Sequence, residues 1–232
     1  MNDSSKINVN TDNFRQVYYS VKKTGWLTCL IILLVLVADQ ALKIWVKTSF
    51  YYGEGYEIFP WFQLRFIENN GMAFGMTFIN KLVLSFGRIF AVGVLVWLLH
   101  KLIIIGKGHY RLGFIIAMAL ITAGAAGNII DCVFYGEIFN NPAPPEVATL
   151  FPIGGGYSGW FEGRVVDMLY FPFFRFIWPE WVPGIGGSEF EFFQYIFNIA
   201  DSSICVGVAL LILFYSREAS EAWKTLVVKD KK

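Results

Sequence analysis

Phe197-Asn198-Ile199-Ala200-Asp201-Ser202-Ser203-Ile204 opens the last apolar run of the chain, Ile196 to Tyr215. That run has the length of a membrane-crossing helix, which needs about 20 predominantly apolar residues. Asn198 and Asp201 stand three residues apart, so a helix carries both on one face. A carboxylate at membrane depth costs roughly 2.5–3.5 kcal/mol at a helix centre on insertion scales, and less toward the ends. Asp201 therefore needs a compensating role, and membership of a catalytic pair is the role expected of it.

The rest of the chain agrees with a membrane setting. Of 232 residues, 56% are hydrophobic and 16% charged, with mean hydropathy +0.51. A soluble domain carries about 25% charged residues. The surplus is aliphatic and aromatic, and 23 Phe, 11 Tyr and 8 Trp suit interfacial aromatic belts. A net charge of +1 without a basic patch argues against nucleic acid as a partner. Cys29, Cys132 and Cys205 all lie in apolar runs without a CxxC or Cys/His cluster, and two histidines make no metal set. Neither a metal, a cofactor nor a disulfide framework is expected.

Taken in order, residues 1–20 read as a mobile polar tail, 21–216 as a single four-span domain and 217–232 as a charged tail. Lys22-Lys23 and the apolar run behind them resemble the start of a signal peptide. Apolar character resumes through Val46 with no A-x-A site, so an uncleaved first span, about 25–46, is expected. Asp39 and Lys43 near its end are i,i+4 and can pair, either as an interfacial snorkelling pair or as a brace for a site. The outer loop 47–81 alternates over Tyr56–Phe59 and Phe62–Ile67, which predicts short strands. It closes in the turn signal Asn69-Asn70-Gly71. Spans two and three are expected at 82–100 and 112–133. The third ends in Gly127-Asn128-Ile129-Ile130-Asp131, with small residues that permit close helix approach. A second outer loop, 134–195, holds Gly163-Arg164-Val165-Val166-Asp167-Met168 and a proline-broken aromatic piece, Phe171–Pro183, expected to lie on the membrane surface. The fourth span is expected at 196–215.

Most of the 19 Lys and Arg fall in the two tails and the 100–111 connector. The positive-inside rule then puts both termini in the cytoplasm and both long loops outside. Asp39, Asn69, Asn128, Asp131, Asp167, Asn198 and Asp201 all fall at that outer face. They converge.

No G-x-S-x-G or HExxH is present, and no Ser/Lys pair stands in a suggestive setting. Two carboxylates sharing a site resist joint ionisation, so one stays protonated while the other acts as a base on water. Asn side chains can orient them or polarise a carbonyl. This is the chemistry of peptide hydrolysis without a covalent intermediate or a metal. On the residues alone, Asp131 and Asp167 are equal candidates for the partner of Asp201. An ion-coupled transporter would want its acids near the midplane and an internal repeat. A structural subunit using its acids for helix contacts gives no reason for an outer cluster.

Asp39-x-x-x-Lys43, Asn69-Asn70-Gly71-Met72-Ala73-Phe74-Gly75, Gly127-Asn128-Ile129-Ile130-Asp131, Val165-Val166-Asp167-Met168 and Phe197-Asn198-Ile199-Ala200-Asp201 together resemble the lipoprotein signal peptidases (signal peptidase II), bacterial membrane aspartyl proteases. The resemblance implies a multi-pass protein of the bacterial inner membrane, with an extracytoplasmic site that cuts prolipoproteins before an S-diacylglyceryl cysteine. It implies Asp167 and Asp201 as the catalytic pair, with Asn69, Gly71, Asn128, Asp131 and Asn198 shaping the site and Asp39 and Lys43 supporting it. A monomer in contact with membrane lipid, inhibited by globomycin-type peptides, is implied as well. Two features depart from the family. Cys132 stands where an arginine usually follows the GNxxD aspartate, and Arg164 is the cation expected to substitute. The intervals from Asp131 to Asp167 and on to Asp201 are also longer than usual.

Overall fold

The computed structural model describes residues 4–70, 81–106 and 109–225. Gly71 and the remainder of the turn to Asn80 lie outside the described residues. Among the described residues five helices and six strands follow in the order α1 (Ser4–Ser49), β1 (Gly55–Phe59), β2 (Phe62–Asn69), α2 (Lys81–Gly106), α3 (Leu112–Ile138), β3 (Val165–Tyr170), β4 (Phe174–Ile177), β5 (Glu189–Phe192), β6 (Ile196–Phe197), α4 (Ile199–Phe214) and α5 (Ser216–Trp223).

Three of these helices, over Tyr19–Ser49, Lys81–Ile104 and Leu112–Ile138, are long and apolar enough to cross a membrane. Trp26, Leu33, Val83, Phe86 and Phe90 keep large apolar side chains exposed along the first two, as lipid-facing surfaces do. Residues 4–20, expected to be a tail, instead continue α1. No glycine or proline interrupts the chain between Ser4 and Thr24, and a helix already nucleated in the apolar run extends at little cost per residue.

The fourth expected span is shorter than its apolar run. Ile196 and Phe197 pair with Tyr170 and Leu169 as strand β6, so α4 keeps 16 residues, about 24 Å at 1.5 Å each. It bends by 91° into α5. Apolar content alone could not separate strand from helix there, because a buried strand and a span share it. At the other end, α3 runs on to Ile138, five residues past the expected boundary.

The chain divides into two compact units. One comprises Ala38–Gly87 and Asn128–Asp201. Its antiparallel sheet has the order β1-β2-β3-β6. Val46, Leu64, Phe66, Tyr135, Phe139, Val166 and Met168 form its core. The pairing Leu64↔Leu169 becomes Ile67↔Asp167, so β2 carries one extra residue, a bulge of the kind that re-aims side chains beside functional sites. The strand period of two turns Asp167 away from the face that sends Val166 and Met168 into the core. The expected surface-lying piece, Phe171–Pro183, holds β4, which pairs as a separate hairpin with β5, six residues past its end. The other unit comprises Met1–Val37, Arg88–Gly127 and Ser202–Lys232. Leu99, Leu102, Phe114, Ile115, Met118 and Ala222 form its core. Ser203 donates to the Leu120 carbonyl within it.

Candidate active site

The polar residues of the first unit form one hydrogen-bonded network, and it starts from the end of α1. Asp39 and Lys43 pair at 2.9 Å with both side chains fully buried, so neither snorkels to the interface. Lys43 Nζ also meets Asp131 at 2.8 Å and donates to Asn128 Oδ1 at 3.0 Å. Gln40 Nε2 donates to Asp39 at 3.1 Å and to Asp131 at 2.9 Å, while its carbonyl accepts from Tyr135 OH at 3.0 Å. Asp39 and Asp131 are thus joined twice, by a cation and by an amide.

Each of these two carboxylates holds a backbone N–H just before one of the other two aspartates. Asp39 Oδ1 accepts from Ala200 N at 2.8 Å, immediately before Asp201. Asp131 Oδ2 accepts from Val166 N at 3.1 Å, immediately before Asp167. The first contact also sets an anion at the amino end of α4, where the helix dipole favours it. Close approach of the chains permits the second. A Cβ at Gly163 would stand 1.9 Å from the Asp131 carbonyl oxygen, so glycine is needed there.

Asp167 and Asp201 are linked through two asparagines. Asn198 caps α4, its Oδ1 accepting from Asp201 N at 2.8 Å, the bond an N-cap side chain makes to the third helical residue. Its Nδ2 donates to Asp167 Oδ1 at 2.7 Å and to Asn128 Oδ1 at 3.1 Å. Asn128 Nδ2 in turn donates to Asp201 Oδ1 at 2.7 Å. Lys43 and Asn198 both donate to the Asn128 carbonyl oxygen, and so its amide nitrogen faces Asp201. Burial, with the Asp201 charge behind it, pushes the Asp167 carboxyl up to about 7, against the Asn198 bond that favours the ionised form. A neutral carboxyl beside a second carboxylate can give a proton while its neighbour takes one.

Seven expected residues come together in this way: Asp39, Lys43, Asn128, Asp131, Asp167, Asn198 and Asp201. Arg164 does not join Asp131. It pairs with Glu68 at 3.0 Å and lies 5.0 Å over the Tyr157 ring, while Lys43 is the cation against Asp131. The cation against Asp131 is thus Lys43, while Arg164 ties up a different buried acid, Glu68. An i,i+4 partner on α1 already supplies the charge. Asn69 stands exposed at the end of β2, in register with Val165.

Sequence reasoning missed Gln40, Tyr135, Lys47 and Glu68. Lys47 is buried against Glu68 and stands 5.2 Å over the rings of Phe139 and Tyr157. Its signal was the spacing Asp39, Lys43, Lys47, four residues apart on one helix face. Gln40 and Tyr135 carried none. Among the described residues no group of three or more His, Cys, Asp or Glu could hold a metal ion, and Lys43 Nζ occupies the place between Asp39 and Asp131 that a cation would take.

The family model described as signal peptidase (SPase) II matches residues 31–217, which contain every side chain of this network. The lipoprotein signal peptidase of Porphyromonas gingivalis is 48% identical over 196 residues, covering 84% of this chain and 85% of that protein. That of Amoebophilus asiaticus is 36% identical over 200 residues, covering 82% and 78%. Two solved structures described as bacterial membrane enzymes match at 27% identity. Their TM-scores are 0.55 and 0.52, covering 84% and 80% of this chain and 90% of each of theirs.

Proposed function

Since the chain belongs to the signal peptidase II family, whose members remove signal peptides from prolipoproteins, we propose that it does so as an aspartic endopeptidase with Asp167 and Asp201 as its acid–base pair. The observation that carries the proposal is the Asn128–Asn198 bridge, which hydrogen-bonds one carboxylate at each end. Asp167 is the acid, since burial favours its neutral form. Asp201 is the base, the second carboxylate held at the other end of that bridge.

Water adds to the scissile carbonyl as Asp201 takes one of its protons and Asp167 gives its own to the carbonyl oxygen. The resulting diol collapses as the nitrogen takes the proton from Asp201. A hydroxyl proton returns to Asp167, and the C–N bond breaks. Both carboxyl groups end as they began. Asp39 and Asp131 contribute by fixing Ala200 and Val166, hence the geometry of attack.

The cut falls before a cysteine whose sulfur carries diacylglycerol, and the enzyme is a monomer that receives this substrate from the lipid phase. It is a multi-pass membrane protein. The Lys and Arg distribution supports cytoplasmic termini and a site on the outer side of the inner membrane. The test is incubation of purified enzyme in detergent with a diacylglyceryl-modified prolipoprotein and with the same protein lacking the lipid. A single cut before the cysteine in the first and none in the second is expected. An uncut lipidated substrate, or equal cutting of both, overturns the proposal.

A further inference from the structure

The β4–β5 hairpin gathers its four phenylalanines on one face and its charged residues, with Ile177, on the other. The register pairs Phe174 with Phe192 and Phe176 with Phe190 on one face, and Arg175 with Glu191 and Ile177 with Glu189 on the other. On the first face Phe174 stacks on Phe192 at 4.8 Å and Phe176 meets Phe190 at a tilt at 5.0 Å. On the second, Arg175 meets Glu191 at 3.2 Å and donates to Tyr170 OH at 2.8 Å. Phe174, Phe176 and Phe192 remain substantially exposed, and Trp181 in the connecting turn is 80% exposed.

Two four-residue strands are marginal alone in water, and a row of four phenylalanines with three of them exposed is a patch that calls for cover. The chain itself indicates which cover. Phe192 lies seven residues before Ile199, the first residue of the apolar helix α4. Ring contacts lead there without a break. Phe192 meets Phe173 at 6.2 Å, Phe173 meets Phe193 at 6.2 Å, and Phe193 meets Phe197 at 5.7 Å. The α4 helix goes on to expose Val206, Ile212 and Leu213 as a lipid-facing surface does. Aromatic side chains collect where a spanning segment leaves the membrane, and an amphipathic element with Phe and Trp on one face lies in that interface.

We propose that the Phe174/Phe176/Phe190/Phe192 face docks on the lipid bilayer interface and anchors the hairpin there, with the Arg175/Glu189/Glu191 face toward water. The inference rests on the membrane-spanning character of the chain and not on the catalytic assignment, so either can fail without the other.

Spin labels at Phe176→Cys and, separately, Glu189→Cys test it in the full-length protein, in vesicles of phosphatidylethanolamine and phosphatidylglycerol. Cys29 and Cys205, which are exposed, are changed to alanine, and Cys132, which is buried, stays. Positions 176 and 189 are one residue apart along the paired strands, so they share a level along the hairpin and differ in face. Gel filtration in detergent verifies that each labelled protein is folded. Collision with oxygen, which enters lipid, should exceed collision with a water-soluble nickel chelate at position 176, with the order reversed at 189. Equal access to the chelate at both positions would put the Phe face in water and overturn the proposal. Protection of position 176 from both reagents would overturn it in favour of a protein cover, such as a second copy of the chain.

Discussion

Lys43→Met tests the buried scaffold directly. In the native site the ammonium stands 2.9 Å from Asp39 and 2.8 Å from Asp131, with all three side chains out of solvent. Methionine preserves the apolar stem but leaves two carboxylates facing each other without a cation. Removing one partner of a buried ion pair costs about 3–5 kcal/mol, because the charge left behind has lost its compensation. At roughly 2–4 °C per kcal/mol for a chain of this size, the melting temperature should fall by roughly 6–20 °C. Thermal unfolding in detergent, followed by tryptophan fluorescence, measures it. The double variant Lys43→Met/Asp131→Asn removes one of the two orphaned charges and should regain part of the loss, a coupling that a double-mutant cycle isolates. A Lys43→Met protein that melts with wild type would refute the scaffold, and one equally destabilised in the double variant would show that charge is not the cause.

Three further outcomes follow from the same geometry. The folded value of Asp167, about 7, lies above the ordinary unfolded value of about 3.9. The folded protein therefore binds more protons across that window, and its stability falls as pH rises from about 4 to about 7, by roughly 4 kcal/mol in all, and then levels. Asp167→Asn should match wild type in denaturant melts at the acid end of that range and exceed it above neutrality, while wild-type cleavage declines as pH rises through about 7; a wild-type stability independent of pH would contradict this. Gly163→Ala forces a Cβ into the Asp131 carbonyl and should abolish cleavage, whereas Gly159→Ala, whose nearest neighbour is a side-chain oxygen at 3.8 Å, should leave cleavage and melting unchanged. Gln40→Leu leaves the Tyr135 hydroxyl and two carboxylates short of a partner, at about 1–3 kcal/mol for each buried group so orphaned. Both melting temperature and kcat should drop, and an unaltered kcat would remove Gln40 from the positioning network.

The polar half of the site was legible because polar residues in apolar helices are conspicuous. Asn198 and Asp201, Asn128 and Asp131, and Asp39 and Lys43 each announce themselves by three- or four-residue spacing within a hydrophobic run. The alternation in β2 was equally plain, since one face meets the core at Leu64 and Phe66. Other features depend on tertiary geometry that spacing does not encode. Residues 4–20 lack apolar periodicity, yet helix is their default once the neighbouring run nucleates it. Ile196-Phe197 reads as the start of a span, and only the unpaired edge of β3 makes it a strand. Lys43 was expected to pair with Asp39, and its second contact, with Asp131 on α3, depends on where the two helices meet. Gln40 is silent in sequence because a lone glutamine at a helix end is ordinary. Its importance comes from two carboxylates arriving at the same place from α1 and α3.

Cleavage of a diacylglyceryl-modified prolipoprotein by Asp167→Asn, Asp201→Asn and Asp131→Asn, each verified as folded by melting and compared with wild type, tests the central claim most directly. Asparagine keeps the shape and removes the exchangeable proton. The account predicts no turnover in the first two variants and residual turnover in the third, whose side chain still offers an oxygen to Val166 N. Turnover by Asp167→Asn together with silence in Asp131→Asn would contradict it and move the acid from β3 to α3.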